Sequence, residues 1–90
     1  MKLEELTDKH AVHIPTQEEW DKFAIILNKA GYKWRSGDKY TSGDWTYKEL
    51  MCIRVKIGDR SNLKYFQRED YTIINVSVFL NTNKIYELWD

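Results

Sequence analysis

The sequence predicts an α+β fold, a mostly antiparallel sheet of four to five strands with one main helix, at about residues 17–30, packed on one face. Two observations predict it. A single well-capped amphipathic stretch stands near the N-terminus, and the remainder breaks into short alternating segments rich in Val, Ile, Tyr and Trp, separated by Gly, Asn and Asp clusters. With one proline, Pro15, and no repeat, linker or low-complexity stretch, residues 1–90 read as a single domain.

Taken in order, Leu3 to Asp8 suits a short initial helix. Ala11-Val12-His13-Ile14 reads as a strand with Val12 and Ile14 inward. The main helix opens on Thr16-Gln17-Glu18-Glu19, a capping box in which Thr16 is the N-cap and Glu19 reaches back to its backbone N–H. Glu18, Glu19 and Asp21 lie against the positive end of the helix dipole. Trp20, Phe23, Ala24, Leu27 and Ala30 form the apolar stripe, and Gly31 is placed to end the helix in a left-handed conformation.

Tyr32-Lys33-Trp34-Arg35 alternates as a strand. Residues 36–45, with Ser36-Gly37-Asp38 and Thr41-Ser42-Gly43-Asp44, form an irregular loop. The strongest strand is about 50–57, with Met51, Ile53, Val55 and Ile57 on one face and Leu50, Cys52, Arg54 and Lys56 on a half-wet other. Gly58 to Asn62 reads as a hairpin loop into a strand Leu63-Lys64-Tyr65-Phe66, and residues 71–76 as a further strand. Ser77 to Leu80 suits a helical turn ending at Asn81. Lys84 to Trp89 alternates like a strand, and a closing helix fits the same residues.

An apolar fraction of 42% with 14% aromatic residues and a formal net charge of zero describes a folded domain, not a disordered chain. No apolar run approaches the roughly 18–20 residues needed to cross a bilayer. Glu4 and Glu5 stand where a signal peptide has its apolar stretch, so a cytoplasmic location and no membrane partner are expected. Oligomeric state, monomer or homodimer, is left open by a small sheet with edges to pair. The charge is uneven: residues 1–31 carry four basic and six acidic side chains, residues 32–68 nine and four, and residues 69–90 one and four, giving −2, +5 and −3. Zero overall argues against gripping nucleic acid through phosphates alone, while the basic middle permits a local patch.

Catalytic chemistry finds little support. Cys52, the one cysteine, sits in the apolar run Leu50-Met51-Cys52-Ile53 as a small hydrophobe. His10 and His13 point to opposite faces of a strand and lack further ligands, so no metal and no cofactor are expected. The pairs Glu4-Glu5, Glu18-Glu19 and Glu69-Asp70 diverge on a helix or a strand, and a triad drawn from Ser36, His13 and Asp38 has no nucleophile-elbow sequence behind it. No phosphate-binding glycine motif occurs. The chain reads as a non-enzyme.

The informative stretch is residues 32–48, where five aromatic residues interleave with four basic ones. That composition suits base stacking with phosphate neutralisation, and equally a protein–protein hot spot. The competing reading is that Trp34 and Trp45 fill the core. Trp34, beside the helix end, favours the core; Trp45, Tyr40 and Tyr47 suit either role. Arg54 and Lys56 are a solvated face by default, and a basic surface if they gather with Arg35.

From Gly31-Tyr32-Lys33-Trp34-Arg35-Ser36-Gly37 the chain resembles a broad group of small phage and prophage proteins of low-GC Gram-positive bacteria. These combine a short strand and a T-x-E-E helix with G-Y-K-W-x-x-G, a downstream Trp, a Cys-containing strand and a Y-x-I-I strand. The corresponding parts are Val12 to Ile14, Thr16 to Ala30, Gly31 to Gly37, Trp45, Cys52-Ile53 and Tyr71-Thr72-Ile73-Ile74. The likeness covers about residues 10–80 and carries no catalytic residues across. It implies a setting in which small accessory proteins bind host machinery non-covalently. Joined to the residues, it gives the expectation of a binding protein that blocks a host defence system, for example a CRISPR effector, or another host enzyme stoichiometrically. The expected contacts are Arg35, Lys39, Tyr40, Trp45, Tyr47, Arg54 and Lys56. The alternative is a nucleic-acid or nucleotide binder using the same residues.

Overall fold

The computed structural model describes residues 1–80. Its elements are strand β1 (His10–His13), helix α1 (Gln17–Lys29), strands β2 (Met51–Arg54) and β3 (Asp59–Asn62), helix α2 (Leu63–Arg68) and strand β4 (Thr72–Asn75). Short 3₁₀ turns occupy Leu3–Glu5, Ser42–Asp44 and Lys48–Leu50. The four strands form one sheet in the order β3-β2-β1-β4. β2 pairs antiparallel with both β1 and β3, and β4 runs parallel to β1, so the α+β fold carries a mixed sheet.

Alternation along the strands divides the buried residues between two faces. Val12, Met51 and Ile53 meet Trp20, Phe23, Ala24 and Leu27 of α1 in the larger core, with Val76 and Phe79 closing one side. The Phe23 and Phe79 rings stack with centroids 5.5 Å apart. Ala11 and Cys52 face the other way, beneath Phe66 of α2. Pairs such as Val12↔Ile53 and Val12↔Ile74 keep like faces together across three strands.

Helix α1 starts and stops as expected, with one change of detail. Thr16 accepts from the backbone N–H of Glu19 at 3.2 Å, but the Glu19 carboxylate accepts from the Thr16 hydroxyl at 2.8 Å. Gly31, at φ 88°, ends the helix. Its N–H donates to Asn28 O, and the N–H of Tyr32 donates to Leu27 O, the paired bonds of a Schellman motif. Ala30 lies past the buried stripe and is exposed.

Several expectations are corrected. Tyr32 to Arg35 is not a strand, because its N–H groups are committed to local and inter-loop bonds: Trp34 donates to Asp38 O and Arg35 to Gly58 O. The strand expected over 50–57 is only Met51–Arg54, with Leu50 in a 3₁₀ turn and residues 55–58 in the hairpin turn. Leu63 to Phe66 is helical. Asn62 caps it by accepting from Lys64 N–H at 2.7 Å, and the spacing of Leu63 and Phe66 turns both toward the sheet. α2 therefore covers the face expected to be half-wet, and Cys52 is fully buried. The initial helix is a single 3₁₀ turn over Leu3–Glu5. Residues 77–80 are helical as read; the turn's end at Asn81 and the segment Lys84 to Trp89 lie outside the described residues.

Candidate recognition site

Residues 30–50 join α1 to β2 with no regular element beyond two 3₁₀ turns. Irregular connections longer than roughly 12–15 residues are uncommon in small domains and are usually functional. Such a span lacks a backbone ladder and must satisfy its polar groups another way. Here side chains of the framework supply the bonds. Asn28 of α1 grips Tyr40 at both ends, its Nδ2 donating to Tyr40 O at 2.9 Å and its Oδ1 accepting from Tyr40 N at 3.0 Å. Trp20 Nε1 donates to Thr41 O at 2.8 Å and Gln17 Nε2 to Ser42 O at 3.0 Å. Trp45 Nε1 donates to Ile14 O at 2.9 Å. His13 Nε2 meets Glu49 O at 2.7 Å; a carbonyl only accepts, so that nitrogen carries the proton.

On the other side, Gly58 of the β2–β3 turn lies flat against residues 33–35. A Cβ there would come within 2.7 Å of Arg35 N and 2.8 Å of Lys33 O, and φ is +87°. Only glycine fits both the approach and the dihedral.

Inside the loop, Trp34, Tyr40 and Trp20 pack as one aromatic group. Trp34 and Tyr40 have centroids 4.6 Å apart, and Trp20 and Tyr40 5.9 Å. Tyr40 is a correction to the expected contact set. The residue is 3% exposed and its hydroxyl donates to Lys33 O at 3.0 Å, so it braces the loop from within. Burial, with smaller contributions from Tyr32 and Asp44, pushes its phenol up to about 12. Trp45 is half-buried against the core as an anchor, with Lys48 Nζ 5.6 Å from its ring centroid.

The remaining expected residues divide. Arg35, Lys39, Tyr47 and Lys56 are exposed. Arg54 lies on the α2 side of the sheet. Its Nε donates to Asp59 Oδ1 at 2.8 Å, its Nη2 to Asp59 Oδ2, and its Nη1 to the Tyr71 hydroxyl at 3.0 Å. The bond to Asp59 raises the Arg54 pKa. Its charge is thus engaged, and it does not form an open basic strand face with Lys56. Arg35 Nη2 does reach the same carboxylate, at 3.9 Å.

A cleft of about 510 Å³ opens where the loop meets β3. Trp34, Asp44 and Arg60 form its inner part, and Ser36, Asp38 and Lys39 its rim. Asp44 organises the interior: its Oδ2 accepts from Trp34 Nε1 at 2.7 Å and from Thr41 N at 2.9 Å, while its Oδ1 lies 3.6 Å from Arg60 Nη1. The Arg60 guanidinium carbon sits 4.7 Å from the Trp34 ring centroid, a cation–π contact. Ser36 Oγ donates to Asp38 Oδ2 at 3.0 Å.

Arg60 and Asp44 were missed from the sequence. Placing Arg60 needs the hairpin register, Ile53↔Arg60, which turns it toward the α1 side. The signal was the Asn62 cap, which moves the strand back to Asp59–Asn62. Among the described residues no three His, Cys, Asp or Glu side chains converge on a metal position, and no helix is long and apolar enough to cross a membrane. Burial pushes the Cys52 thiol up to about 12, so it stays protonated at neutral pH. No family model matches the chain, and neither curated proteins nor solved structures include one significantly similar to it.

Proposed function

We propose that this protein is a non-catalytic recognition module that acts by stoichiometric binding to a protein partner through the face presented by residues 33–48. The observation behind this reading is the bracing of the loop. Trp20, Asn28, Trp45 and Gly58 hold an irregular span in one conformation, leaving Arg35, Lys39 and Tyr47 on its outer surface. A loop ordered before binding loses little conformational entropy on docking, and Tyr and Arg are the residues that dominate such contacts. Following the resemblance to phage proteins, the partner is a host defence component, such as a CRISPR effector, or another host enzyme, met in the host cytoplasm.

The test is affinity purification of the tagged protein from host lysate, followed by titration against the recovered enzyme. Inhibition complete at equimolar ratio, and weakened by the double variant Arg35→Glu/Lys39→Glu, is the expected result. Recovery of no stoichiometric partner, together with unchanged phage growth in defended hosts, contradicts it. A second reading, as a nucleic-acid or nucleotide binder, is favoured by the pairing of Arg60 with Trp34 in an open cleft. Gel shifts across a salt series test it, since phosphate contacts weaken steeply with salt.

A further inference from the structure

Within the cleft, the hydrogen-bonding capacity is unevenly used. Asp44 Oδ2 accepts from Trp34 and Thr41, while its Oδ1 has only the ion pair with Arg60. Arg60 is in an ion pair at 3.6 Å, too long for a hydrogen bond, and none of its guanidinium N–H groups donates a hydrogen bond to another described residue. Its side chain keeps 32% of its surface open. Lys39 on the rim is exposed and has no ion pair or hydrogen bond among the described residues. Asp38 uses one oxygen to accept from Ser36 and leaves the other free. An unpaired ammonium, a guanidinium with N–H groups to spare, a partly buried indole and a free carboxylate oxygen therefore border one opening. Its volume falls within the roughly 300–1,000 Å³ range of small-ligand sites.

We propose that this cleft is a nucleotide site, in which an aromatic base lies against the Trp34–Arg60 pair and its phosphate is held by Lys39 and the N–H edge of Arg60. A guanidinium resting on an indole offers a flat, cationic surface to a base. The free oxygen of Asp38 is an acceptor for a base N–H, which favours bases with such donors on their edge. The shared chemistry, a base with one phosphate, is available from a free nucleotide or from a single-stranded nucleic acid. This inference rests on the second reading of function and narrows it to named residues.

The experiment follows the indole N–H resonance of Trp34 by NMR while the full chain is titrated separately with nucleoside monophosphates, the parent nucleosides, inorganic phosphate and a short single-stranded oligonucleotide. The expected result is a saturable shift of that resonance with nucleotides. Nucleosides and phosphate alone should each bind about tenfold or more weakly, the loss of one charge-assisted or stacking contact. A tighter oligonucleotide with the same shift identifies a strand as the source; a tighter mononucleotide identifies the free ligand. Lys39→Ala, at an exposed side chain, should weaken nucleotides by about tenfold and leave nucleosides unchanged, while Lys22→Ala on α1 changes neither. Nucleotide-induced shifts elsewhere with Trp34 unmoved overturn the site but not the nucleotide reading. No shift with any probe at millimolar concentration overturns both. Phosphate binding as tightly as nucleotide, or Lys39→Ala without effect, also overturns the proposal.

Discussion

The sheet and the loop over residues 30–50 reach order by opposite routes. In the sheet, backbone pairs with backbone, and side chains need only fill two faces: Val12, Met51 and Ile53 toward α1, Ala11 and Cys52 toward α2. In the loop, backbone bonds within the span close only local turns, and side chains replace a ladder: Trp20 and Asn28 reach in from α1, and Trp45 reaches out to Ile14 O. The difference teaches that Trp20, Trp34 and Trp45 have two jobs. Their rings contribute apolar burial to the core, and their N–H groups hold the loop in position.

That contrast can be broken at several points. The largest effect is expected at Trp20, fully buried and bonded to Thr41 O. Trp20→Ala removes core volume and a loop tie together and should cost about 3–5 kcal/mol, read as a lowered urea midpoint. Gly58→Ala comes next, at about 2–4 kcal/mol, from an unfavourable positive φ and a Cβ pressed onto the backbone of residues 33–35. Its amide shift changes should centre on Lys33 to Arg35.

Asn28→Ala sharpens the comparison most. It orphans both backbone polar groups of Tyr40 at a cost of about 1–3 kcal/mol. Amide exchange should accelerate more at Tyr40 than in β1 or β2; equal acceleration would mean that the loop has no separate stability.

A smaller effect is set by pH. The Tyr40 phenol titrates normally at 10.0 but at about 12 when folded. The unfolded chain therefore loses this proton first, and the contribution is whole below pH 10 and fades as pH rises toward 12. The Cys52 thiol, raised from 9.0 to about 12 by burial, adds in the same direction from pH 9 upward. Stability measured by urea titration should fall across this alkaline range. Tyr40→Phe should flatten the part above pH 10, while costing about 1 kcal/mol at neutral pH for the lost bond to Lys33 O.

The framework was legible wherever a local rule decides the outcome. Thr16 and Gly31 bracket α1 by capping chemistry, and the alternation of Met51, Ile53 and Val55 identifies the core face. Errors arose where tertiary contacts override local pattern. Tyr32 to Arg35 alternates like a strand, but Gly58 takes up the Arg35 N–H and Asp38 that of Trp34. Leu63 to Phe66 reads as the strand after a hairpin loop, yet the Asn62 cap and the open face over Cys52 make it a helix. The site was half legible. Composition pointed to residues 32–48, and Arg35, Lys39 and Tyr47 are exposed there. The inward turn of Tyr40 depends on Asn28, and the placement of Arg60 over Trp34 depends on hairpin register. Neither pairing is written in adjacent residues.

The most direct test of the central claim is backbone relaxation of the free protein over residues 32–47. A loop braced by Trp20, Asn28, Trp45 and Gly58 should give order parameters near those of the sheet, about 0.85. Values below about 0.6 through Lys39 to Trp45 would show a span that orders only on binding, and would contradict the account.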